Sequence, residues 1–216
     1  MQTGLAGSVT AALAAWVGPE LAAAGLRADD ARRTSQHPSH GARSSSPLHA
    51  VLLDERFAEA ARFAAVARSE GLRTRAMRGD VTDFWYAELH FLWKQRAVPL
   101  AGLTGYATLF CLEQLAWDHR MRVIYRGAHT PRPDGQLEHV LAGPPQALDA
   151  LAQGCACDWP AAIASIIART ERQGGWAGRA PASCAIEQRC VTRDASRGQR
   201  PASTLYSWVI ALPSRG

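Results

Sequence analysis

The sequence predicts an α/β protein: a small three-layer domain of about four parallel strands alternating with helices, plus a C-terminal fifth strand. Two patterns carry that expectation. Between Leu48 and Tyr125 short apolar runs recur, each followed by a longer stretch with apolar side chains at helical spacing. Strands separated by helices of that length form βαβ units and a parallel sheet, and a reversal of strand order then puts helices on both faces.

The elements follow in order. Leu48 to Leu53 is the first strand and ends in Asp54-Glu55. Phe57 to Gly71 is a helix, with Phe57, Ala60, Ala61, Ala64 and Ala67 at helical spacing and Gly71 as its stop. Leu72 to Met77 is the second strand, and Asp83 to Arg96 a helix carrying Trp85, Leu89, Leu92 and Trp93. Val98 to Leu103 is the third strand, Tyr106 to His119 the third helix, and Met121 to Tyr125 the fourth strand. Further on, Asp158-Trp159-Pro160 opens a helix whose buried face holds Ile163, Ile166, Ile167 and Thr170, and Gly174-Gly175 closes it. Residues 174–203, rich in Gly, Arg, Ser and Pro, read as a long irregular loop, and Leu205 to Leu212 as the fifth strand.

The ends of the chain have a different composition. Residues 1–25 read as an export leader: no charge occurs from Gln2 to Pro19, and Ala22 and Ala24 form a small-residue cleavage pattern before Gly25. The basic n-region that should precede such a run is missing, and Arg32-Arg33 falls on its wrong side. The stretch is too rich in Ala, Gly, Ser and Thr for a membrane span, so membrane contact is expected only through an uncleaved leader. Residues 26–47 are polar and aperiodic and read as a flexible linker. His37 and His40 within it are read as solvated, not as metal ligands. The remainder, 48–216, is a single domain, as suits a chain of 216 residues.

Net charge is +5, yet 23 of the 24 basic residues are arginine, Lys94 being the exception, and they are dispersed. Nucleic-acid binding needs a clustered basic footprint, so charge argues against that class.

The stretches RGDVTDFWYAEL (78–89), GLTGYATLFCLEQLAWD (102–118), MRVIYRGAH (121–129) and LYSWVIAL (205–212), with the leader QTGLAGSVTAALAAW, resemble a group of uncharacterised proteobacterial exported proteins with twin-arginine-type leaders. The resemblance implies export of a folded protein to the periplasm, and it implies no activity or cofactor; this sequence departs from the group in lacking a twin-arginine motif ahead of its apolar run, which leaves the route of export open.

In open α/β sheets ligands bind beyond the carboxyl ends of the strands. The candidate binding edge is therefore Asp54, Arg78, Asp80, Thr104, Arg126 and His129. Arginines there suit a small anion, and Thr104-Gly105 at a helix start suits an anion held by backbone N–H groups. Asp54 and Asp80, just ahead of helices, equally suit capping. The chain holds no G-x-S-x-G and no C-x-x-C. Cys111, in an apolar helix, is expected to be a buried thiol, whereas Cys155, Cys157, Cys184 and Cys190 are disulfide candidates in an oxidising compartment. Their spacing is not that of a four-thiolate zinc site.

These observations order three functions. The first is a non-catalytic exported ligand-binding or accessory subunit, taking a small anion or a protein partner; the aromatic helix of Trp85, Tyr86 and Trp93 favours the partner. The second is a small hydrolase-type enzyme using Asp54 or Asp80 with His129. The third is a thiol-redox or structural metal protein built on the C-terminal cysteines.

Overall fold

The structure is a computed structural model in which residues 47–145, 147–149, 158–185, 187–193 and 203–214 are described. The leader (1–25) and all but the last residue of the linker (26–47) lie outside these residues, as do Cys155 and Cys157.

The first half of the domain follows the expected alternation. Strand β1 (Ala50–Asp54) is buried at all five positions, and helix α1 (Ala58–Ser69) returns the chain to β2 (Thr74–Met77), parallel to β1. Gly71, at φ +82°, ends the helical run in a conformation that L side chains rarely adopt. A helix then runs from Thr82 to Gln95 as α2 (Thr82–Phe84), a π-helical turn (Trp85–Leu89) and α3 (His90–Gln95). Strand β3 (Leu100–Thr104) pairs parallel with β1 on the side away from β2, and α4 (Tyr106–Asp118) follows.

From there the expectation of four parallel strands is overturned. Among the described residues the sheet has seven strands in the order β2-β1-β3-β7-β4-β5-β6, and four of its six pairings are antiparallel. The expected fourth strand does not join β3. Strand β7 (Leu205–Ala211) lies between β3 and β4, antiparallel to both, so the strand expected to be a late addition is central. Its composition explains the place, since six of its seven residues are buried and a near-continuous apolar run suits a strand covered on both faces. Gly102 of β3 makes room for it: a Cβ there would stand 2.5 Å from the Trp208 ring.

Strand β4 (Arg122–Pro131) is twice the expected length and turns through a tight hairpin into β5 (Gln136–Ala142). The turn is Arg132-Pro133-Asp134-Gly135, with Gly135 at φ +83° and the Asp134 carboxylate accepting from the Gln136 N–H at 3.0 Å. The expected loop 174–203 also contains regular structure. It holds a 3₁₀ turn (Ala182–Cys184) and β6 (Glu187–Arg193), the edge strand beside β5.

Helices cover both faces of the sheet. Phe63, Ala64 and Ala67 of α1 and Ile163, Ile166 and Ile167 of α5 (Trp159–Arg172) share one core with Val51, Leu53, Leu103, Leu141 and Val209. Phe84, Leu89 and Trp93 of the 82–95 helix and Leu109, Leu112 and Ala116 of α4 share the other with Leu52, Leu100, Trp208 and Ile210. Among the described residues no helix is long and apolar enough to cross a membrane.

Candidate functional site

The carboxyl ends of β1, β2 and β3 meet where strand order reverses, with β2 on one side of β1 and β3 on the other. Asp54, the last residue of β1, is fully buried. Its carboxylate is gripped by Arg56, whose Nε donates to Oδ1 at 2.9 Å and whose Nη2 donates to Oδ2 at 2.6 Å. The hydrogen bonds and charge of Asp54 hold the Arg56 guanidinium above its ordinary pKa. Half of the Arg56 side chain remains exposed. The guanidinium lies on the backbone of Gly79, where any Cβ would collide with it, and reaches to 3.7 Å of where a Cβ of Gly105 would be. Gly79 has φ +82° and its carbonyl accepts from the Thr108 hydroxyl at 2.9 Å, tying the β2 end to α4. Gly105 is the N-cap of α4 and brings no side chain to the free N–H groups of that turn.

The other residues of the expected edge divide. Thr104 is fully buried with its hydroxyl fully engaged, accepting from Trp208 Nε1 at 3.0 Å and donating to the Gly105 carbonyl at 3.2 Å. Asp80 is exposed and accepts from the Thr82 N–H at 2.8 Å, and bonding to the Thr82 side chain and backbone lowers its pKa. Its bond closes a local turn ahead of the helix, whose N-cap position is Val81. Arg78 is exposed. Arg126 and His129 are not strand-end residues at all. Pairing with β5 and β7 carries β4 on to Pro131, so both are interior to the strand. Arg126 turns toward α4, where Nη2 donates to Glu113 at 2.5 Å.

His129 turns toward the opposite helix layer and belongs to a buried polar row that crosses four strands. Tyr125 Oη and Ser207 Oγ are 3.0 Å apart, Ser207 Oγ and His129 Nε2 2.8 Å, His129 Nδ1 and His139 Nδ1 2.7 Å, and His139 Nε2 and Thr192 Oγ1 2.9 Å. His129, His139 and Ser207 are fully buried. Trp159, the first residue of α5, stacks on the His129 ring at 4.3 Å. Burial pushes His129 well below the ordinary imidazole value, with the charge of His139 a second cause, and burial pushes His139 down to about 4. Ser207, His129 and His139 stand in the order of nucleophile, base and orienting group, but Trp159 and the sheet seal them from solvent.

Sequence reasoning missed His139, Ser207, Tyr125 and Thr192. One signal was present for His139: it and His129 lie five residues either side of Asp134, so a hairpin centred there makes them cross-strand neighbours.

The described cysteines fall in three settings. Cys111 is exposed on α4, contrary to the buried thiol expected, because Leu109, Leu112 and Ala116 take the inward face. Cys184 is exposed in the 3₁₀ turn and Cys190 is half-buried in β6, and no disulfide joins the described cysteines. A cavity of about 650 Å³ near Cys184 is lined by Pro144, Leu148, Arg179 and Gln188, and none of the expected edge residues lines it. Of the aromatic helix, Trp93 is buried and donates to the Val98 carbonyl at 3.0 Å, Trp85 packs edge-on against it, and Tyr86 is exposed. Among the described residues no group of three metal-ligating side chains converges. Comparison with protein-family models, with curated proteins and with solved structures returns no match.

Proposed function

We propose that this chain is an exported, non-catalytic ligand-binding or accessory protein that takes a small anion where the ends of β1, β2 and β3 meet. One observation carries the reading: a half-exposed guanidinium, aimed by a buried carboxylate, lies across two glycines at the switch in strand order. Asp54 occupies one edge of the Arg56 fork and leaves Nη1 free of that pair. The uncapped first turn of α4 adds backbone N–H groups and the positive end of its dipole. Asp54 also cancels part of the arginine's charge, so the site suits a compact oxyanion held by directed hydrogen bonds more than by net charge.

The hydrolase-type alternative loses support from the same geometry. Asp54 is committed to Arg56 and Asp80 to Thr82, while His129 is enclosed beneath α5. Export rests on the uncharged run from Gln2 to Pro19 and its small-residue cleavage pattern.

The test is calorimetric titration of inorganic phosphate and of sulfate into the full chain and into Arg56→Gln. Loss of a charge-assisted contact should weaken binding by about 1–3 kcal/mol. Absence of binding to either anion, or equal binding by the variant, would remove the proposal.

A further inference from the structure

The row from Tyr125 to Thr192 has a property that its individual bonds do not. Each neutral imidazole carries one N–H, and the two rings face each other through Nδ1. A single proton between them satisfies both. The remaining donors then run in one direction along the row, from Tyr125 toward Thr192 or the reverse, and every bond is made either way. With both rings protonated, two N–H groups would face each other at 2.7 Å and neither would have an acceptor.

The surroundings offer little to such a charge. On the same face, β5 presents Leu137 and Leu141, and β7 presents Leu205 and Val209. Cys190 of β6 lies across from His139, and Trp159 and Ile163 of α5 lie above. Among the described residues, the ionisable groups on this face of the sheet are Tyr125 of β4 and Cys190 of β6, beneath helices that carry Glu59, Arg62 and Arg68 (α1) and Asp158, Arg169, Glu171 and Arg172 (α5). Arg62 stands 3.9 Å from Asp158, Glu171 accepts from the Leu48 N–H and Arg172 pairs with Glu70. Arg126, Glu138, Glu187 and Arg189 fall at the alternate strand positions, and Arg122 is exposed at the start of β4. Among the described residues, the hydrogen bonds of the two rings go to each other, to Ser207 and to Thr192.

We infer that the His129–His139 pair is an acid-responsive latch, which ties β5 and β6 to β4 and β7 beneath α5 at neutral pH and releases them when both rings are protonated. The direction follows from linkage. An exposed imidazole has a value near 6.5, and both rings lie below it in the closed form, His139 at about 4. Above 6.5 neither form takes up protons and the latch is fully closed. Between 6.5 and about 4 the open form binds protons that the closed form does not, so each fall in pH favours opening. The opening constant should rise about tenfold per pH unit for each proton taken up, approaching a hundredfold per unit for two.

Hydrogen exchange of the full chain, corrected for intrinsic rate and followed from neutral to acid pH, reads this directly. The expected result is loss of protection in β5, β6 and α5 between pH about 6 and about 4 while β1 and β3 stay protected, with that step absent from the doubly substituted His129→Gln, His139→Gln protein. Glu171→Gln, which removes the half-buried carboxyl at the far end of α5, should keep the step. Uniform protection until the whole sheet unfolds, or a step retained by the histidine double variant, would overturn the latch. Should that variant not fold, nitrogen chemical shifts of the two rings in the unmodified protein decide. Two neutral rings at pH 7 that gain protons together with the loss of β5 and β6 protection support it, and a ring charged at pH 7, or titration with protection unchanged, overturns it.

Discussion

Gly102 and Trp208 face each other across β3 and β7, and the absence of one side chain lets the other lie flat. Trp208 is fully buried, and its indole N–H reaches Thr104 at 3.0 Å, so the ring is fixed by packing and by a hydrogen bond at once. Gly127 has the same relation to Ser207, where a Cβ would stand 2.5 Å from the hydroxyl. Neither glycine has a positive φ, so what they supply is space, not backbone freedom. Replacement of Gly102 by Ala should therefore destabilise the protein by about 1–3 kcal/mol through overpacking. Chemical denaturation measures this, and an unchanged midpoint would show that the ring can move aside. At this scale the sequence was only partly legible. Asp54, Asp80 and Thr104 follow from strand-end position, and Asp80 closes a local turn on the Thr82 N–H while Val81 takes the N-cap of the helix. Arg56 stands two residues after the strand end, and nothing local to it indicates that it folds back to grip Asp54. Ser207 lies 78 residues from the histidine it bonds, beyond the reach of any spacing rule.

Helix α1, the helix 82–95, α4 and α5 all lie where periodicity placed them, because an amphipathic pattern over several turns depends on local spacing alone. Asp158 occupies the N-cap of α5 and Pro160 falls in its first turn, though the Asp158 side chain makes no capping bond. The β4–β5 hairpin shows the opposite case. Arg132-Pro133-Asp134-Gly135 carries a recognised turn signature, and buried Leu137, His139 and Leu141 alternate after it. Alternation interrupted by histidine does not register as an apolar strand, so the sequence pattern alone does not place β5. Gly135, at φ +83°, should tolerate alanine poorly. Gly135→Ala is expected to cost about 1 kcal/mol and to lower the thermal midpoint, with the sheet otherwise intact. A midpoint equal to that of the unmodified protein would mean that the turn relaxes to another type.

At the scale of the whole described domain, the sheet is mixed, and its parallel part, β2-β1-β3, is joined to an antiparallel remainder by a strand that lies about 100 residues after β3 in sequence. With β7 bonded to both β3 and β4, the two parts depend on that one late strand. A chain ending before Ser203 should thus lose cooperative unfolding and not merely some stability, as judged by circular dichroism on heating; a sharp transition in that truncated chain would show that the parallel part folds by itself. Helix positions, the first three strands and the turn residues are products of local pattern, since 3.6-residue and 2-residue periods are written within short windows. Strand order, the antiparallel pairings, the Arg56 grip on Asp54 and the enclosure of the two histidines come from tertiary structure. Each is a contact between segments far apart in the chain, stabilised by burial and hydrogen-bond completion that exist only when the sheet has closed.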